Sequence, residues 1–460
     1  MKFNKIFKSI DNKNGRIFIL LILQIIIYIQ FIFFRPYEDD ESLYILSGKA
    51  ILEGKLDPFK VYYYGHYANP FHEIIGSPLA PMIYGFGYVL GGILLSRLFA
   101  MIFIVLTLVI VYKLTYDIGG NPVISLIFAG ISSSIILLAS DAILDSASIF
   151  FLMLSLFFVN KKKDLSAGVS SALSVISKFF VIAPLFFVLV YLFLKKKIGR
   201  KFLIGMILIL LPFIILYKDL APVLIDFVIS SKIKTAGLNN AKNLLIDLAL
   251  YLPLASIIGF VNIRNSKVKK YFVFILPAII VISFHILTTN FTSLYRQIPF
   301  ADMPASILVG VIFTKPNKKI LSLIILFSIL SLYVASSSVW NYPSYNAIKL
   351  NDVNGKILAL NPFSFILSKN WDVFATGEKV YSYYYFEYEY NSTTLDHKSD
   401  MNDYEEALQD GFFDYALISS YSPSELTRYV QIENLVRKYY CPYFKQNKTG
   451  GIDIYKKCVN

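Results

Sequence analysis

The sequence predicts a mainly α-helical protein that crosses a membrane many times and ends in a small mixed α/β domain. The 460 residues are 56% hydrophobic with a mean hydropathy of +0.58, and only 16% are charged, against about a quarter in soluble domains. The apolar residues form continuous runs of roughly 16 to 22 residues, long enough for a helix to cross about 30 Å of hydrocarbon. The runs do not alternate as barrel strands do. A soluble enzyme and a transmembrane barrel are therefore excluded.

The first apolar run, residues 16–34, predicts a retained span. A cleaved signal peptide is the alternative, because the run follows a basic start. A signal core would be shorter and would end in small residues, whereas this run ends Phe33-Phe34-Arg35-Pro36. Ten further runs bring the prediction to about eleven spans: 95–112, 123–139, 147–159, 165–177, 179–194, 202–217, 244–261, 271–287, 298–313 and 320–336.

Basic clusters predict the orientation of these spans. With the N-terminus inside, they fall together on the inner side, at residues 161–163, 195–201, 264–270 and 315–319. Because inner loops are enriched in Lys and Arg, the N-terminus is predicted inside and the C-terminus outside a plasma membrane. The net charge of +13 then reflects topology and needs no nucleic-acid partner. The sequons at Asn290, Asn391 and Asn447 fall outside and support this weakly.

Two domains follow from this division. Residues 1–336 form a transmembrane domain with a large outer loop at 35–94, and residues 337–460 form an extracytoplasmic α/β domain. Short apolar runs at 356–360, 415–418 and 452–455 predict strands there, and 424–439 predicts a helix. Cys441 and Cys458 flank a polar turn at 447–451, so a hairpin would bring them opposite each other. An outer compartment tolerates a disulfide, but free thiols stay an open alternative.

An acidic motif follows the first span directly. Four successive carboxylates, from Glu38 through Asp39 and Asp40 to Glu41, precede Tyr44. The four carboxylates repel one another and do not favour insertion of the chain into the membrane, which favours a functional role. A solvated helix cap is the alternative.

Further charges fall at the predicted outer ends of spans. Asp141 and Asp145 lie between two apolar runs, although Asp145 could simply cap the following helix. Lys178 and Arg296 lie at membrane level, where either could extend to the interface without a function. Two cations beside carboxylates would suit a lipid phosphate and a hydroxyl nucleophile.

Histidine and tyrosine residues in the first outer loop are weaker candidates. His66, His72 and Glu73 could hold a divalent metal, but their spacing matches no standard site, and aromatic loop packing is the alternative. Tyr64 and the tyrosines at 383–385 could line a groove, or simply reflect the preference of tyrosine for membrane interfaces.

Several short motifs resemble GT-C membrane glycosyltransferases in the same order, over about residues 17 to 315. The nearest likeness is to protein O-mannosyltransferases and the aminoarabinose transferase of lipid A. The matching pieces are Asp40-Glu41-x-x-Tyr44 with Ile51-Leu52-x-Gly54-x-x-x-Pro58, Ser96-Arg97-Leu98 with Val111-Tyr112-Lys113-Leu114, Leu144-Asp145-x-x-x-x-Phe150-Phe151, Ile176-Ser177-Lys178-Phe179 and Tyr295-Arg296.

The resemblance implies an inverting glycosyltransferase that moves a sugar from a polyprenyl (dolichyl-type) phosphate donor to a hydroxyl acceptor on the outer face. Asp40 would be the general base, Glu41 would orient it, and Asp145 would be a second catalytic carboxylate. Lys178 and Arg296 would bind the lipid phosphate. Asp39, Tyr44, Tyr64 and Asp141 would line the substrate groove. Such a donor carries its own energy, so no cofactor is required.

The chain departs from the family pattern in two places. It has Gly76-Ser77-Pro78 where the lipid A enzyme has Lys-Pro-Pro, and Lys178-Phe179-Phe180 lacks the family's Gly-Pro. Because of these two departures, the sequence does not identify the donor. The Trp-Trp-Asp-Tyr-Gly signature of oligosaccharyl transfer is absent. A transporter or flippase of lipid-linked sugars is the alternative from another class, and a non-catalytic receptor is the third.

Overall fold

The computed structural model describes residues 13–35, 39–56, 77–178, 181–216, 253–287, 294–315, 318–340, 353–359, 362–369, 380–382, 388–390, 395–397, 401–419, 427–445 and 452–458. The chain divides into two compact units. The helical unit comprises Met1–Phe33 and Gly76–Ser336, and the mixed unit comprises Phe34–Ile75 and Ser337–Asn460. The segment after the first span therefore groups with the C-terminal residues.

Thirteen described helices belong to the helical unit, the last of them running past its end. They are α1 (Lys13–Phe34), α3 (Leu79–Asp117), α4 (Pro122–Gly130), α5 (Ser133–Ala139), α6 (Leu144–Asn160), α7 (Asp164–Ser177), α8 (Ile182–Leu194), α9 (Arg200–Leu216), α10 (Leu254–Val261), α11 (Ser266–Lys270), α12 (Leu276–Leu287), α13 (Leu294–Ile312) and α14 (Lys318–Trp340). The helix α2 (Asp39–Leu52) belongs to the mixed unit.

Two helices in the described part of the chain, α1 and α3, are each long and apolar enough to cross a membrane. The pair α4 and α5 gives a third crossing if its two parts count as one span, although they are bent by 71°. Shorter apolar helices, α6 among them, complete the apolar part of the unit. The fold is thus mostly helical with membrane-spanning elements, while eleven spans and an inside N-terminus stay predictions.

Two segments differ from the sequence prediction. The run 123–139 is a bent helix pair, because Ser132 starts a new helix by accepting a hydrogen bond from the Ile135 amide. Helix α3 begins at Leu79, well inside the predicted outer loop. It breaks at Gly91 and Gly92, and Gly92 has a φ of +69°, which glycine adopts without strain. Polar and glycine residues interrupt the apolar pattern before this break, so the sequence analysis did not predict this part of the helix.

Helices α6 and α7 form an antiparallel hairpin around a turn at residues 161–163. Serines set the register of the pair. Ser155 Oγ lies 2.7 Å from Ser171 Oγ, and Ser148 Oγ donates to the Ser174 carbonyl at 2.9 Å. Helix α9 packs closely on the other face of α7, where a Cβ on Gly168 would collide with the Phe202 carbonyl. The two ends of the hairpin are therefore fixed in space.

Helix α13 is the central element of the helical unit. Every residue from 296 to 311 is buried, and the helix contacts α4, α10 and α12. Helix α1 is tied to the unit by a buried cation, since Arg97 Nη1 donates to the Ile32 carbonyl at 3.0 Å. A cation at the carboxyl end of a helix is favoured by the helix dipole.

The mixed unit contains a five-stranded sheet. Its strands are β1 (Ile357–Ala359), β2 (Val380–Ser382), β5 (Tyr415–Ser419), β6 (Tyr440–Phe444) and β7 (Ile452–Lys457), in the order β2-β1-β5-β7-β6. The strands β2, β1 and β5 run parallel, and β7 pairs antiparallel with both β5 and β6. A separate antiparallel pair is formed by β3 (Tyr388–Tyr390) and β4 (Leu395–His397).

Three helices complete this unit: α15 (Pro362–Ser368), α16 (Met401–Gln409) and α17 (Thr427–Tyr439). Buried side chains of α16, α17 and the sheet form one core. A disulfide joins Cys441 of β6 to Cys458, which directly follows β7, across a separation of 17 residues. Strands occupy all three short apolar runs singled out in the sequence, and α17 occupies the run at 424–439 from Thr427 onward.

Candidate functional site

Asp145 lies in the first turn of α6, within a segment buried from residue 132 to residue 149. Its side chain is 0% exposed. The N-cap position belongs to Ile143, and α6 has no side-chain cap hydrogen bond. The alternative that Asp145 merely caps its helix is therefore wrong, although the helix dipole still favours a negative charge at this end.

Two cations contact this carboxylate. Lys178 Nζ donates to Asp145 Oδ1 at 2.5 Å, and Arg296 Nε donates to Asp145 Oδ2 at 3.4 Å. The lysine side chain is 13% exposed and the arginine side chain 9% exposed. These three residues are called the charge cluster below. Both cations contact the same buried carboxylate, so neither of them extends on its own to the membrane interface.

The α6–α7 hairpin explains why residues 33 positions apart meet. Asp145 begins one arm and Lys178 follows the last residue of the other, so the antiparallel arms bring both to the same end. Arg296 joins them from the first turn of α13, which packs on α6. The opposite end of the hairpin carries Lys161–Lys163. The cluster and this basic turn therefore lie at opposite ends of the hairpin.

The electrostatics of the charge cluster suit an anionic ligand. Burying an ion costs roughly several kcal/mol, and the attraction within a single buried ion pair seldom compensates that cost. Among the described residues, two cations meet one carboxylate here, and Asp141 is also buried, four residues before Asp145. Ammonium and guanidinium groups carry several N–H donors each, enough to serve both a carboxylate and a phosphate.

Tyr84 is a residue of this region that the sequence analysis missed. It is 0% exposed, and its hydroxyl donates to the Ile143 carbonyl at 2.9 Å and lies 2.6 Å from Ser146 Oγ. It thereby ties α3 to the residues on either side of Asp145. A tyrosine within an apolar run could have indicated this residue, but the sequence analysis assigned residues 35–94 to an outer loop.

The acidic motif lies in the mixed unit, on the first turn of α2. Asp40 is half-buried, while Glu41 and Tyr44 are both 0% exposed. Burial excludes the alternative of a solvated helix cap for Glu41 alone, and the partial exposure of Asp40 is compatible with either interpretation. Burial of a carboxylate is costly unless a structural or functional interaction compensates it.

The other predicted site residues lie outside the described residues. These are Tyr64, His66, His72, Glu73 and the tyrosines at 383–385, together with the sequons at Asn290, Asn391 and Asn447 and the side chain of Asp39. Among the residues that are described, no group of three or more His, Cys, Asp or Glu could hold a metal ion.

The sequence analysis also missed a buried carboxylate of α13. Asp302 of α13 is 1% exposed, and its Oδ1 accepts from the Ser256 amide at 2.9 Å and from the Ser256 hydroxyl at 2.5 Å. Ser256 is the third residue of α10, whose N-cap makes no side-chain hydrogen bond. Asp302 thus caps a neighbouring helix, a contact that no local sequence pattern reveals.

Comparison with solved structures shows which fold this is. The chain is similar to ArnT from Cupriavidus metallidurans bound to undecaprenyl phosphate, with a TM-score of 0.59 and 11% identity, covering 96% of this chain and 98% of that one. It is similar to the Archaeoglobus fulgidus oligosaccharyltransferase, in complex with Zn and sulfate, with a TM-score of 0.52 and 14% identity, covering 95% and 73%.

A third similar structure is the arabinofuranosyltransferase AftD from mycobacteria, with a TM-score of 0.50 and 11% identity, covering 96% of this chain and 40% of that one. No protein-family model and no curated protein sequence matches the chain. These likenesses confirm that the chain has the fold of GT-C membrane glycosyltransferases.

Proposed function

We propose that this protein is a membrane glycosyltransferase that moves one sugar from a polyprenyl-phosphate donor to a hydroxyl acceptor on the outer face of the membrane. The observation that carries the proposal is the charge cluster: a buried carboxylate holds two cations at one end of the α6–α7 hairpin. The GT-C fold, and a neighbour of that fold bound to undecaprenyl phosphate, support a lipid-phosphate ligand there.

Lys178 and Arg296 would bind the donor phosphate. As the bond between the sugar carbon and the phosphate oxygen breaks, negative charge grows on the leaving phosphate, and two adjacent cations stabilise it. Asp145 would hold both cations in place and keep their separation suited to one phosphate group. Its contact with each of them supports this role.

Asp40 would act as the general base. The acceptor hydroxyl attacks the anomeric carbon from the face opposite the phosphate, its proton passes to the Asp40 carboxylate, and the lipid phosphate leaves with the bonding electron pair. One displacement of this kind inverts the anomeric configuration. Glu41 would orient Asp40, and Tyr44 and Asp141 would line the groove. No cofactor is proposed, because the sugar–phosphate bond supplies the energy.

The outer face is proposed from the charge pattern. Lys161–Lys163 lie at the end of the hairpin opposite to the charge cluster. If basic turns face the cytosol, the cluster faces outward. An outer compartment would also tolerate the Cys441–Cys458 disulfide.

The proposal is tested with radiolabelled polyprenyl-phosphate sugars extracted from cells that lack the protein, since such cells accumulate the unused donor. Asp40→Asn is expected to lower the transfer rate by about 10²- to 10⁴-fold, the range typical of a lost general base. Glu53→Gln is the matched control, because Glu53 lies just beyond α2 and forms partly exposed ion pairs with Lys49 and Lys55. Transfer at the unmodified rate by Asp40→Asn removes Asp40 as the base.

The acceptor and the sugar are found by mass spectrometry of lipid-linked glycans and surface glycoproteins, with and without the protein. The mass that disappears identifies the sugar, and the molecule that loses it identifies the acceptor.

A flippase of lipid-linked sugars is the second candidate function. Broken helices favour it, since transporters build substrate sites from discontinuous spans. This chain has such breaks between α4 and α5 and at Gly91–Gly92. Radiolabelled donor that crosses reconstituted vesicles without covalent transfer would support this candidate over the transferase.

A further inference from the structure

The acidic motif is packed against the C-terminal part of the mixed unit. Helix α2, which carries Asp40 and Glu41 in its first turn, contacts α15 directly. Both helices are largely buried where the structure describes them. In α2, residues 41–48 are buried, and in α15 residues 364–367 are buried.

A side-chain hydrogen bond joins the two helices at the acidic end. Ser42 Oγ donates to Ser364 Oγ at 3.3 Å, and both serines are 0% exposed. Ser42 directly follows Glu41 and lies two residues after Asp40. The bond links positions 322 residues apart in the sequence. It thus fixes the turn of α2 that presents both carboxylates.

Helix α15 is in turn supported by the sheet. It follows β1 closely in the chain and packs against β2, which is hydrogen-bonded to β1 in a parallel pair. A continuous series of contacts therefore runs from the sheet through α15 and Ser364 to the first turn of α2.

We propose that Ser364 is a positioning residue for the acidic motif: through Ser42, it holds Asp40 and Glu41 at the angle that the transfer reaction needs. This inference rests on the proposed function. The C-terminal part of the chain would then be part of the catalytic machinery, because it sets the orientation of the base. A small misplacement of a catalytic group lowers the rate strongly without weakening substrate binding equally.

The first test compares Ser364→Ala with Thr115→Val in the full-length protein. Thr115 is the matched control, since this variant also loses a buried hydroxyl hydrogen bond, to the Val111 carbonyl near the C-terminal end of α3. With the radiolabelled extracted donors, Ser364→Ala is expected to lower kcat about tenfold and leave KM for the donor within about twofold. Thr115→Val is expected to keep kcat within about twofold. Equal kcat values for the two variants would overturn the inference.

A double variant separates positioning from general damage. If Ser42 and Ser364 act through one hydrogen bond, Ser42→Ala/Ser364→Ala loses no more activity than the worse single variant. Losses that multiply, to about a hundredfold, would overturn the inference, because the serines would then act independently.

A cross-link covers the case in which the alanine variants fold poorly. In Ser42→Cys/Ser364→Cys the two sulfurs can form a disulfide, which peptide mass spectrometry detects. The oxidised protein is expected to keep at least half the transfer rate of its reduced form, with the unmodified protein treated identically as a control. Loss of transfer on oxidation would show that α2 must leave α15 during the reaction, and would overturn the inference.

Asp40→Asn distinguishes the two levels of failure. If this variant transfers sugar normally, the proposed function itself fails. If it is inactive while Ser364→Ala behaves like Thr115→Val, only the positioning inference fails.

Discussion

The helical unit contains a buried lysine–carboxylate ion pair, and the mixed unit contains an exposed one. These two ion pairs differ mainly in burial. In the helical unit, Lys178 and Asp145 are 2.5 Å apart with side chains 13% and 0% exposed. In the mixed unit, Lys438 and Glu405 are 2.9 Å apart with side chains 60% and 39% exposed. An exposed pair adds little to stability, whereas a buried one has a desolvation cost that its own attraction rarely recovers.

The difference teaches that stability does not explain the charge cluster. Apolar side chains of similar size would fill that position at less cost. A second cation, Arg296, is buried at the same carboxylate. The charged ligand proposed for the cluster would account for this cost, and no such ligand is proposed for the surface pair.

The largest effect is expected from Asp145→Asn. It leaves two buried cations without their carboxylate, so transfer should fall by at least about 10²-fold and the free energy of unfolding by about 3–5 kcal/mol. Transfer assays and thermal unfolding in detergent measure the two effects.

Asp117→Asn is the matched control for that variant, because Asp117 pairs with Lys161 at 2.9 Å but is 25% exposed. It should change stability by less than about 1 kcal/mol and transfer by less than about twofold. Similar losses in both variants would remove the distinction between buried and exposed pairs.

Arg296→Lys is expected to have the next largest effect. The substitution keeps the charge but loses the planar group that can contact two oxygens of a phosphate at once. KM for the donor should rise about tenfold, with a smaller change in kcat. An unchanged KM would show that Arg296 does not contact the donor phosphate.

Asp302→Ala sharpens the comparison, because Asp302 is buried like Asp145 but caps α10. Loss of its acceptor leaves the Ser256 donors without this partner, so the free energy of unfolding should fall by about 1–3 kcal/mol. Transfer per folded molecule should stay within about threefold. If Asp302→Ala lost as much transfer activity as Asp145→Asn, contact with the two cations would not be what makes a buried carboxylate necessary for transfer.

The smallest effect is expected from Glu405→Gln. Hydrogen bonds from Lys438 and Tyr439 lower the pKa of Glu405, and hydrogen bonds to Tyr439 and to Glu405 raise the pKa of Lys438 to about 12. A lowered carboxylate pKa contributes stability above the unfolded pKa of about 4.3, and this is lost as pH falls through the folded pKa. Unfolding temperatures of the two proteins should therefore differ slightly at pH 7 and converge near pH 3. A gap that widens on acidification would contradict this sign.

Sequence reasoning located many helices of the helical unit and the three residues that the structure brings together in the charge cluster. Lys178 and Arg296 were identified because charges inside apolar runs are rare, and the short apolar runs of the mixed unit identified its strands. The helical segment after Leu79 was missed because glycines dilute its apolar pattern. The bend at Ser132 was missed because hydropathy averages over short interruptions.

Contacts between distant segments were beyond the sequence. The meeting of Asp145 with Lys178 and Arg296, and the hydrogen bonds of Tyr84 and Ser364, depend on helix packing. Local patterns contain no information on which helices become neighbours. The burial of Glu41 has the same origin, since it follows from tertiary packing and not from the acidic motif.

The most direct test of the account is lipid binding by purified protein, measured by native mass spectrometry with undecaprenyl phosphate and dolichyl phosphate as probes. Lys178→Gln is compared with Lys161→Gln, a lysine at the opposite end of the same hairpin. The account predicts that Lys178→Gln binds the preferred lipid at least about tenfold more weakly, while Lys161→Gln binds like the unmodified protein. Equal affinity in both variants would contradict a phosphate site at the charge cluster.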